Sequence, residues 1–203
     1  MIGIVDYGLG NVRAFVNIYE RMKVPAALVS SEDELTDADK IILPGVGAFD
    51  WAMERLAASG MIDCLNELVL SERRPVLGVC VGMQIMARRS DEGERRGLGW
   101  IDEDVRRFES RAEDPSVRLP HMGWNDVVPR DSETLFRNLG EPRYYFLHSY
   151  HIAPRDDGLI LGRTDYLGTF ASAVRSDNIF GVQFHPEKSH AWGVQLLRNF
   201  ADL

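Results

Sequence analysis

A thiol, an imidazole and a carboxylate in this chain are of the types that together cleave amide or ester bonds. The thiol is Cys80, in Gly-Val-Cys-Val-Gly at 78–82, between an apolar run typical of a strand and a stretch typical of a helix. This is the thiol form of the nucleophile elbow, a sharp turn that raises the reactive atom above a sheet. Glycines are expected at 78 and 82 because side chains there would meet crowding backbone. Because a buried cysteine is usually inert, the elbow alone leaves a core role for Cys80 open.

A base for this thiol is offered near the other end of the chain. His185 and Glu187 flank a single proline in Phe-His-Pro-Glu-Lys, just after the apolar run 179–182. A thiol nucleophile needs a base, and the base needs a group that orients it. Because such partners meet in space and not in sequence, their distance from Cys80 along the chain is no objection. The pattern favours Cys80 as a nucleophile with His185 as its base.

The composition indicates one globular domain. The chain has 203 residues, of which 45% are hydrophobic, and its net charge of −8 argues against a nucleic-acid partner. Its two cysteines, of which Cys64 is expected in the core, do not make a disulfide framework and favour a reducing compartment. No signal peptide or membrane span is recognised, so the cytoplasm is the expected location.

Strands and helices that could position these groups alternate along the first half of the chain. Apolar runs of strand length at 2–6, 26–29, 41–43 and 75–79 are separated by helical spacing at 12–22, 49–56 and 61–68. This alternation predicts an α/β domain with a largely parallel sheet. Short strands at 144–147, 159–161, 171–174 and 179–184 predict antiparallel additions to it, and the chain closes with a helix at 192–200. We expect a single domain over 1–203.

Ligands of open α/β sheets gather at the carboxyl ends of the strands, where three loops are expected here. Gly-Leu-Gly-Asn at 8–11 lacks the spacing of a dinucleotide fingerprint. Pro-Gly-Val-Gly at 44–47 could direct backbone N–H groups at an oxyanion, and the N–H of Val81, just past the cysteine, is a natural second donor. An ordinary strand-to-helix turn remains the alternative for 44–47.

Five motifs fall in the order seen in one enzyme family. They are Pro-Gly-Val-Gly at 44–47, Gly-Val-Cys-Val-Gly-Met-Gln at 78–84, Pro-His-Met-Gly-Trp-Asn at 120–125, His-Ser-Tyr at 148–150 and Gln-Phe-His-Pro-Glu-Lys-Ser at 183–189. By these motifs the whole chain resembles the class I glutamine amidotransferases. The motif at 120–125 is the most restrictive, and it resembles the glutaminase subunits of imidazole glycerol phosphate synthase.

The resemblance implies a three-layer, flavodoxin-like α/β fold and a thioester mechanism without a cofactor. The implied triad is Cys80, His185 and Glu187, with an oxyanion hole formed by the N–H groups of Gly47 and Val81. Glutamine would be held by residues carried over from the family positions, which are Gly47, Gln84, Glu92, Ser149 and Tyr150. For Glu92, a merely polar loop at 90–92 is the competing interpretation. We expect no metal, because the histidines lack ligand-like spacing with cysteines or acids.

The resemblance also implies a protein partner, because free ammonia would protonate and diffuse away. That partner is a (βα)₈-barrel synthase subunit, which consumes the ammonia in histidine biosynthesis. Four residues match family positions at the interface, namely Asn11, Trp124, Asn125 and Lys188. A tryptophan beside an asparagine suits an interface anchor, although a core position for Trp124 is the alternative.

Three other interpretations stay open. The segments 188–193 and 97–100 resemble a paralogous branch, which supplies ammonia for nitrogen-bearing surface-polysaccharide sugars. A degenerate amidotransferase that only binds and regulates a partner would keep the fold without the activity. A thiol hydrolase or peptidase on the same scaffold would work without a partner, and it would not need the motif at 120–125.

Overall fold

The computed structural model describes residues 1–109 and 118–203 of the chain. Its strands are β1 (Ile2–Val5), β2 (Ala26–Val29), β3 (Lys40–Gly45), β4 (Val76–Cys80), β5 (Arg89–Ser90), β6 (Asp104–Arg107), β7 (His121–Asp126), β8 (Val128–Pro129), β9 (Arg143–His148), β10 (Tyr150–Ala153), β11 (Ile160–Asp165), β12 (Thr169–Ser176) and β13 (Ile179–Val182). Its α-helices are α1 (Val12–Arg21), α2 (Glu32–Thr36), α3 (Phe49–Ala58), α4 (Ile62–Asn66), α5 (Val81–Gln84) and α6 (His190–Ala201).

Within the described residues, eight strands form one mixed sheet in the order β2-β1-β3-β4-β13-β12-β11-β8. The first five pair in parallel, and the last three add to them antiparallel. Strands β1, β4 and β13 are buried along their whole length, which requires cover on both faces of the sheet. The mostly parallel sheet with antiparallel additions is therefore as predicted.

Two predicted details of the second half are wrong. β13, expected to add antiparallel, does so only toward β12, and it pairs in parallel with β4 on its other side. β9 does not join the large sheet but pairs with β7 in a two-stranded sheet. Because Tyr144 and Phe146 of β9 are buried while Leu147 is exposed, one face of this strand is exposed to solvent, unlike the central strands.

Smaller differences concern the helices. The stretch after Cys80 forms only the single turn α5, because the chain tightens there through the bonds from Met86 N to Met83 O and from Ala87 N to Gln84 O. The helix predicted at 61–68 begins as α4 and continues as a π-helical turn, Glu67–Ser71. Cys64 is half-buried there and packs at the margin of the core. No helix in the two described stretches has the length and apolarity needed to cross a membrane.

The strand order brings the sequence motifs together. β3, β4 and β13 are neighbours, and their carboxyl ends lead into the segments at 44–47, 78–84 and 183–189. Gly45 of β3 is in register with Cys80 of β4, and Val182 of β13 is in register with Val79. Motifs separated by up to about two thirds of the chain thus meet at one edge of the sheet, as parallel pairing requires.

Candidate active site

Cys80 lies on a strained turn at the end of β4. Its backbone has φ 55° and ψ −115°, a conformation that is rare outside glycine, and α5 begins at the next residue. A Cβ at position 82 would lie 1.9 Å from the Leu43 carbonyl oxygen, and one at position 78 would lie 2.7 Å from Met83 Cα. Only glycine fits these two positions, so the packing of β3 against the elbow fixes the turn that carries the sulfur.

His185 is held by contacts on both its ring and its backbone. Its Nδ1 lies 3.0 Å from Glu187 Oε1, and both side chains are buried. Pro186 opens a short 3₁₀ turn, Pro186–Lys188, which directs Glu187 back to the ring. The His185 N–H donates to Tyr145 O at 2.9 Å, and Ser189 Oγ donates to His185 O at 2.6 Å. The imidazole therefore has a fixed orientation, with Nε2 as its second polar atom.

The charges around His185 favour its protonated form. Burial alone would lower the pKa of His185, but a hydrogen bond and charge interaction with Cys80, together with those of Glu187, outweigh it and raise the pKa to about 10. Cys80 Sγ itself accepts from Gln183 Nε2 at 3.7 Å and lies 3.9 Å from Leu147 O. A protonated imidazole beside this sulfur can give a proton to a leaving group.

Cys80 and His185 open into one pocket with a volume of about 280 Å³. All six residues expected from the sequence to bind glutamine or its oxyanion line this pocket. They are Gly47, Val81, Gln84, Glu92, Ser149 and Tyr150. The pocket is also lined by Lys188, Val46, Pro120, Leu147 and His148.

The two expected oxyanion donors, Gly47 and Val81, both line the pocket into which Cys80 opens. Val81 is the first residue of α5, where backbone N–H groups lack partners within the helix. Gly47 has φ +92°, and a Cβ there would have no neighbour within 4 Å. Glycine is therefore needed at 47 for its backbone angle and not for space. Tyr7 holds the base of this loop by donating from its hydroxyl to Pro44 O at 2.7 Å.

The side chains of two expected glutamine ligands, Gln84 and Glu92, are held by hydrogen bonds to the protein. Gln84 Nε2 donates to Tyr150 O at 3.0 Å and to Gln183 Oε1 at 3.1 Å. Glu92 Oε2 accepts from the N–H of Phe49 at 2.8 Å, so this carboxylate also caps the start of α3. Glu92 is thus fixed at the pocket wall and does not belong to a free polar loop.

Three of the four expected interface residues lie in or beside the β7–β9 sheet. Trp124 is 39% exposed, and it stacks on His190 with ring centroids 5.2 Å apart. Lys188 Nζ lies 5.7 Å from the centre of the Tyr145 ring. Asn125 is half-buried and donates to Asp165 O at 3.0 Å. Asn11 is exposed on a separate element, where it precedes α1. Trp124 is therefore a surface residue and not a core aromatic.

Gln183, His121 and His148 were not assigned from the sequence although they contact the site or lead to it. Gln183 is fully buried and joins Gln84 to Cys80. His121 and His148 are buried cross-strand partners in β7 and β9. Their only signal in the sequence is a place within the motifs, because nothing in the spacing of 121 and 148 reveals that the two rings meet. Across residues 1–109 and 118–203, no group of three or more His, Cys, Asp or Glu could hold a metal ion.

Comparison with known proteins decides the family. The model of the family "Glutamine amidotransferase class-I" matches residues 4–202. The chain belongs to this family. Two relatives named imidazole glycerol phosphate synthase subunit HisH, from Leptospira interrogans and Bdellovibrio bacteriovorus, are each 50% identical over all of both chains. A third, named HisH 2, from Pseudomonas aeruginosa, is 46% identical over the same extent. Within the class I glutamine amidotransferases, the chain belongs with these HisH subunits.

Solved structures of other glutamine amidotransferases share the fold. One titled as a crystal structure of a glutamine amidotransferase superposes with a TM-score of 0.77 at 20% identity, covering 100% of this chain and 99% of that one. A putative GMP synthase component from Thermoplasma acidophilum gives a TM-score of 0.70 at 21% identity, covering 99% and 92%. At such identities the likeness concerns the fold alone.

Proposed function

We propose that this amidotransferase is the glutaminase subunit of an imidazole glycerol phosphate synthase, which hydrolyses glutamine to glutamate and ammonia. The observation that carries the proposal is the strained elbow that presents Cys80 to the same pocket as His185, while Glu187 holds the imidazole at 3.0 Å. The full-length relatives named as HisH subunits support the pathway. They do not favour the paralogous role in surface-polysaccharide sugars.

The reaction proceeds through a thioester on Cys80. The sulfur attacks the side-chain amide carbon of glutamine, and the carbonyl oxygen takes up the negative charge. The N–H groups of Gly47 and Val81 stabilise this oxyanion, and one such donor is typically worth about 3 kcal/mol. His185, protonated at the start, gives its proton to the departing ammonia. It then takes a proton from the water that attacks the thioester, which releases glutamate and restores the sulfur.

Glu187 and the pocket wall supply orientation. The Glu187 carboxylate accepts from His185 Nδ1, so that Nε2 is the atom that exchanges protons with the reacting groups. Glu92 offers a negative charge for the α-ammonium group of glutamine. Gln84, Ser149, Tyr150 and the backbone of Gly47 complete the contacts to its α-amino and α-carboxylate ends.

The ammonia passes to a (βα)₈-barrel partner that docks beside the pocket. The face of the β7–β9 sheet that carries Trp124 also exposes Met122 and Leu147, so it offers apolar area next to residues of the pocket. Lys188 lies at the pocket and is exposed, which suits a polar contact at the channel mouth. Asn11 and Asn125 complete the proposed contact. The reaction requires that Cys80 stay a reduced thiol, and a reducing compartment such as the cytoplasm would meet this requirement.

Replacing Cys80→Ser tests the proposal directly. In complex with the synthase partner, the variant should lose glutamine-dependent synthesis by about 10⁴-fold or more while synthesis from added ammonium salt persists. Cys64→Ser is the matched control, because this second cysteine is half-buried on α4 and outside the pocket, and it should leave both rates unchanged. Glutamine-dependent turnover by Cys80→Ser would contradict the assignment of the nucleophile.

The same assay separates the other interpretations. If the protein were only a regulator, the wild type would have no glutaminase activity, even with the partner and its substrate present. A partner-free thiol hydrolase would cleave esters or peptides alone. The proposal expects glutamine hydrolysis that rises when the synthase and its ligand are added.

A further inference from the structure

Two buried histidines outside the proposed triad form a hydrogen-bonded chain from the sheet surface to the glutamine pocket. His121 Nδ1 lies 3.0 Å from His148 Nε2, and His148 Nδ1 lies 2.8 Å from Tyr150 O. At the other end, Asn125 Nδ2 lies 3.2 Å from His121 Nε2. The triad chemistry uses neither ring, and burying two polar rings is costly unless their bonds are satisfied.

The direction of every bond in this chain follows from its ends. A carbonyl oxygen only accepts, so His148 Nδ1 must carry a proton and donate to Tyr150 O. Burial lowers the pKa of His121 to about 4 and that of His148 to about 3, so both rings are neutral at physiological pH. The neutral His148 therefore accepts at Nε2, and His121 donates to it from Nδ1.

The outer end of the chain is fixed in the same way. The neutral His121 accepts at Nε2, and it does so from the Asn125 amide. The orientation of that amide is set by the N–H of Asp126, which donates to Asn125 Oδ1 at 2.8 Å. Its second proton goes to Asp165 O. All donors thus point inward, from Asn125 through His121 and His148 to Tyr150.

Aromatic packing holds the rings in the planes that these bonds need. The His121 ring stacks between Tyr166 at 3.8 Å and Phe146 at 4.6 Å, with interplanar angles of 17° and 20°. Phe170 lies 5.3 Å from His148, measured between ring centroids. This packing restricts the planes of the two rings, and the hydrogen-bond partners at their nitrogens determine the tautomers.

The inner end reaches the residues that bind glutamine. Tyr150 O accepts from Gln84 Nε2 as well as from His148. Gln84 in turn donates to Gln183 Oε1, and Gln183 Nε2 donates to Cys80 Sγ. A displaced Tyr150 carbonyl would therefore disturb the wall of the pocket first and the surroundings of the sulfur second.

We propose that His121 and His148 are positioning residues, which hold the Tyr150 carbonyl in place for glutamine binding through a one-directional hydrogen-bond chain that begins at Asn125. This inference rests on the proposed function, since it assumes that the pocket takes glutamine. It adds that the proposed partner face at Asn125 and the substrate pocket share one continuous polar network.

Two replacements of His148 test the chain, because each keeps one of its two bonds. The amide of His148→Asn lies near the place of Nδ1 and can still donate to Tyr150 O. The amide of His148→Gln lies near the place of Nε2 and can accept from His121 but does not reach Tyr150 O. Both variants lose the same ring and the same aromatic contacts, so each serves as a control for the other.

In complex with the synthase partner, His148→Gln should raise the KM for glutamine by about tenfold, as the loss of a bond to a buried carbonyl implies. His148→Asn should stay within about threefold of the wild type, and kcat should change by less than about threefold in both. Equal KM values for the two variants, or a larger effect in His148→Asn, would overturn the inference. Absence of glutamine turnover in the wild type would instead count against the proposed function.

A measurement on the wild type that does not depend on catalysis tests the direction of the hydrogen-bond chain, even if a variant does not fold. Nitrogen-15 spectra of histidine-labelled wild-type protein should show both His121 and His148 as neutral Nδ1–H tautomers near pH 7. An Nε2–H tautomer or a charged ring at either position would refute the directed chain.

Discussion

The elbow region and the β7–β9 sheet are held in place by different kinds of interaction. Around Cys80, the parallel strands β3, β4 and β13 are buried apart from Lys40 at the start of β3, and glycines allow close backbone approach at the turn. Around His121 and His148, buried polar rings are held by hydrogen bonds and aromatic stacking, next to an exposed apolar face. The first region is shaped by excluded volume, the second by satisfied polar groups.

This difference determines how each region should respond to change. A steric fit fails when a single methyl group is added, because a backbone carbonyl cannot move away from it. A polar network fails when a donor or an acceptor is lost, even where the volume is kept. Substitutions that add volume should therefore disturb the elbow most, and substitutions that remove a donor or acceptor should disturb the β7–β9 sheet most.

The largest effect is expected from an added methyl group at the elbow. Gly82→Ala would place a Cβ 1.9 Å from Leu43 O, so it should lower the free energy of unfolding by about 4 kcal/mol, at the upper end of single-residue effects. Gly140→Ala is the control, because a Cβ there meets nothing within 4 Å, and it should change stability by less than about 0.5 kcal/mol. Denaturant unfolding measures both. Similar losses in the two variants would mean that the elbow is not set by close packing.

The second effect concerns the charge of His185 beside Glu187 in the proposed triad. His185→Gln leaves the buried Glu187 carboxylate without its partner and should cost about 3 kcal/mol near pH 6. Because the pKa of His185 is raised in the folded protein to about 10, its protonated form stabilises the fold fully below about pH 6.5. This contribution is lost as the pH rises toward 10.

Denaturant unfolding of the wild type and of His185→Gln at several pH values between 6 and 10 tests whether this stabilisation falls as the pH rises. The difference in the free energy of unfolding should shrink steadily with rising pH. A difference that stays constant or grows would show that the raised pKa of His185 is not a property of the folded protein.

The smallest effect is expected at the exposed face of the β7–β9 sheet. Trp124→Ala should weaken binding of the synthase partner by about 2 kcal/mol, or roughly 30-fold in Kd, while the isolated chain still folds. Trp51→Ala is the matched control, because this tryptophan on α3 is 50% exposed and lies outside the β7–β9 sheet. Calorimetric titration measures both, and equal losses would move the interface away from Trp124.

The elbow could be predicted from the sequence because its rule is local. Glycines at 78 and 82 around one cysteine follow directly from crowding, and the structure supplies the Leu43 carbonyl that enforces the second of them. The parallel sheet was also predictable, since strands and helices alternate along the first half. The place of β9 was not, because an alternating strand does not specify which edge it will pair with.

The histidine chain could not be predicted for a related reason. His121 and His148 are separated by 27 positions, and their pairing depends on the register of β7 with β9. The direction of their bonds depends further on the Tyr150 carbonyl and on the amide orientation of Asn125. These are properties of the assembled fold, and the sequence gives only the residue types.

In the proposed function, the sulfur of Cys80 attacks glutamine in the pocket that it shares with His185. The most direct measurement is mass spectrometry with peptide mapping after the complex has reacted with an electrophilic glutamine analogue, 6-diazo-5-oxo-norleucine. We expect one adduct per chain, on Cys80 and not on Cys64, and protection by excess glutamine. An adduct at another residue, or continued glutamine turnover after Cys80 is fully modified, would contradict the proposed role of Cys80.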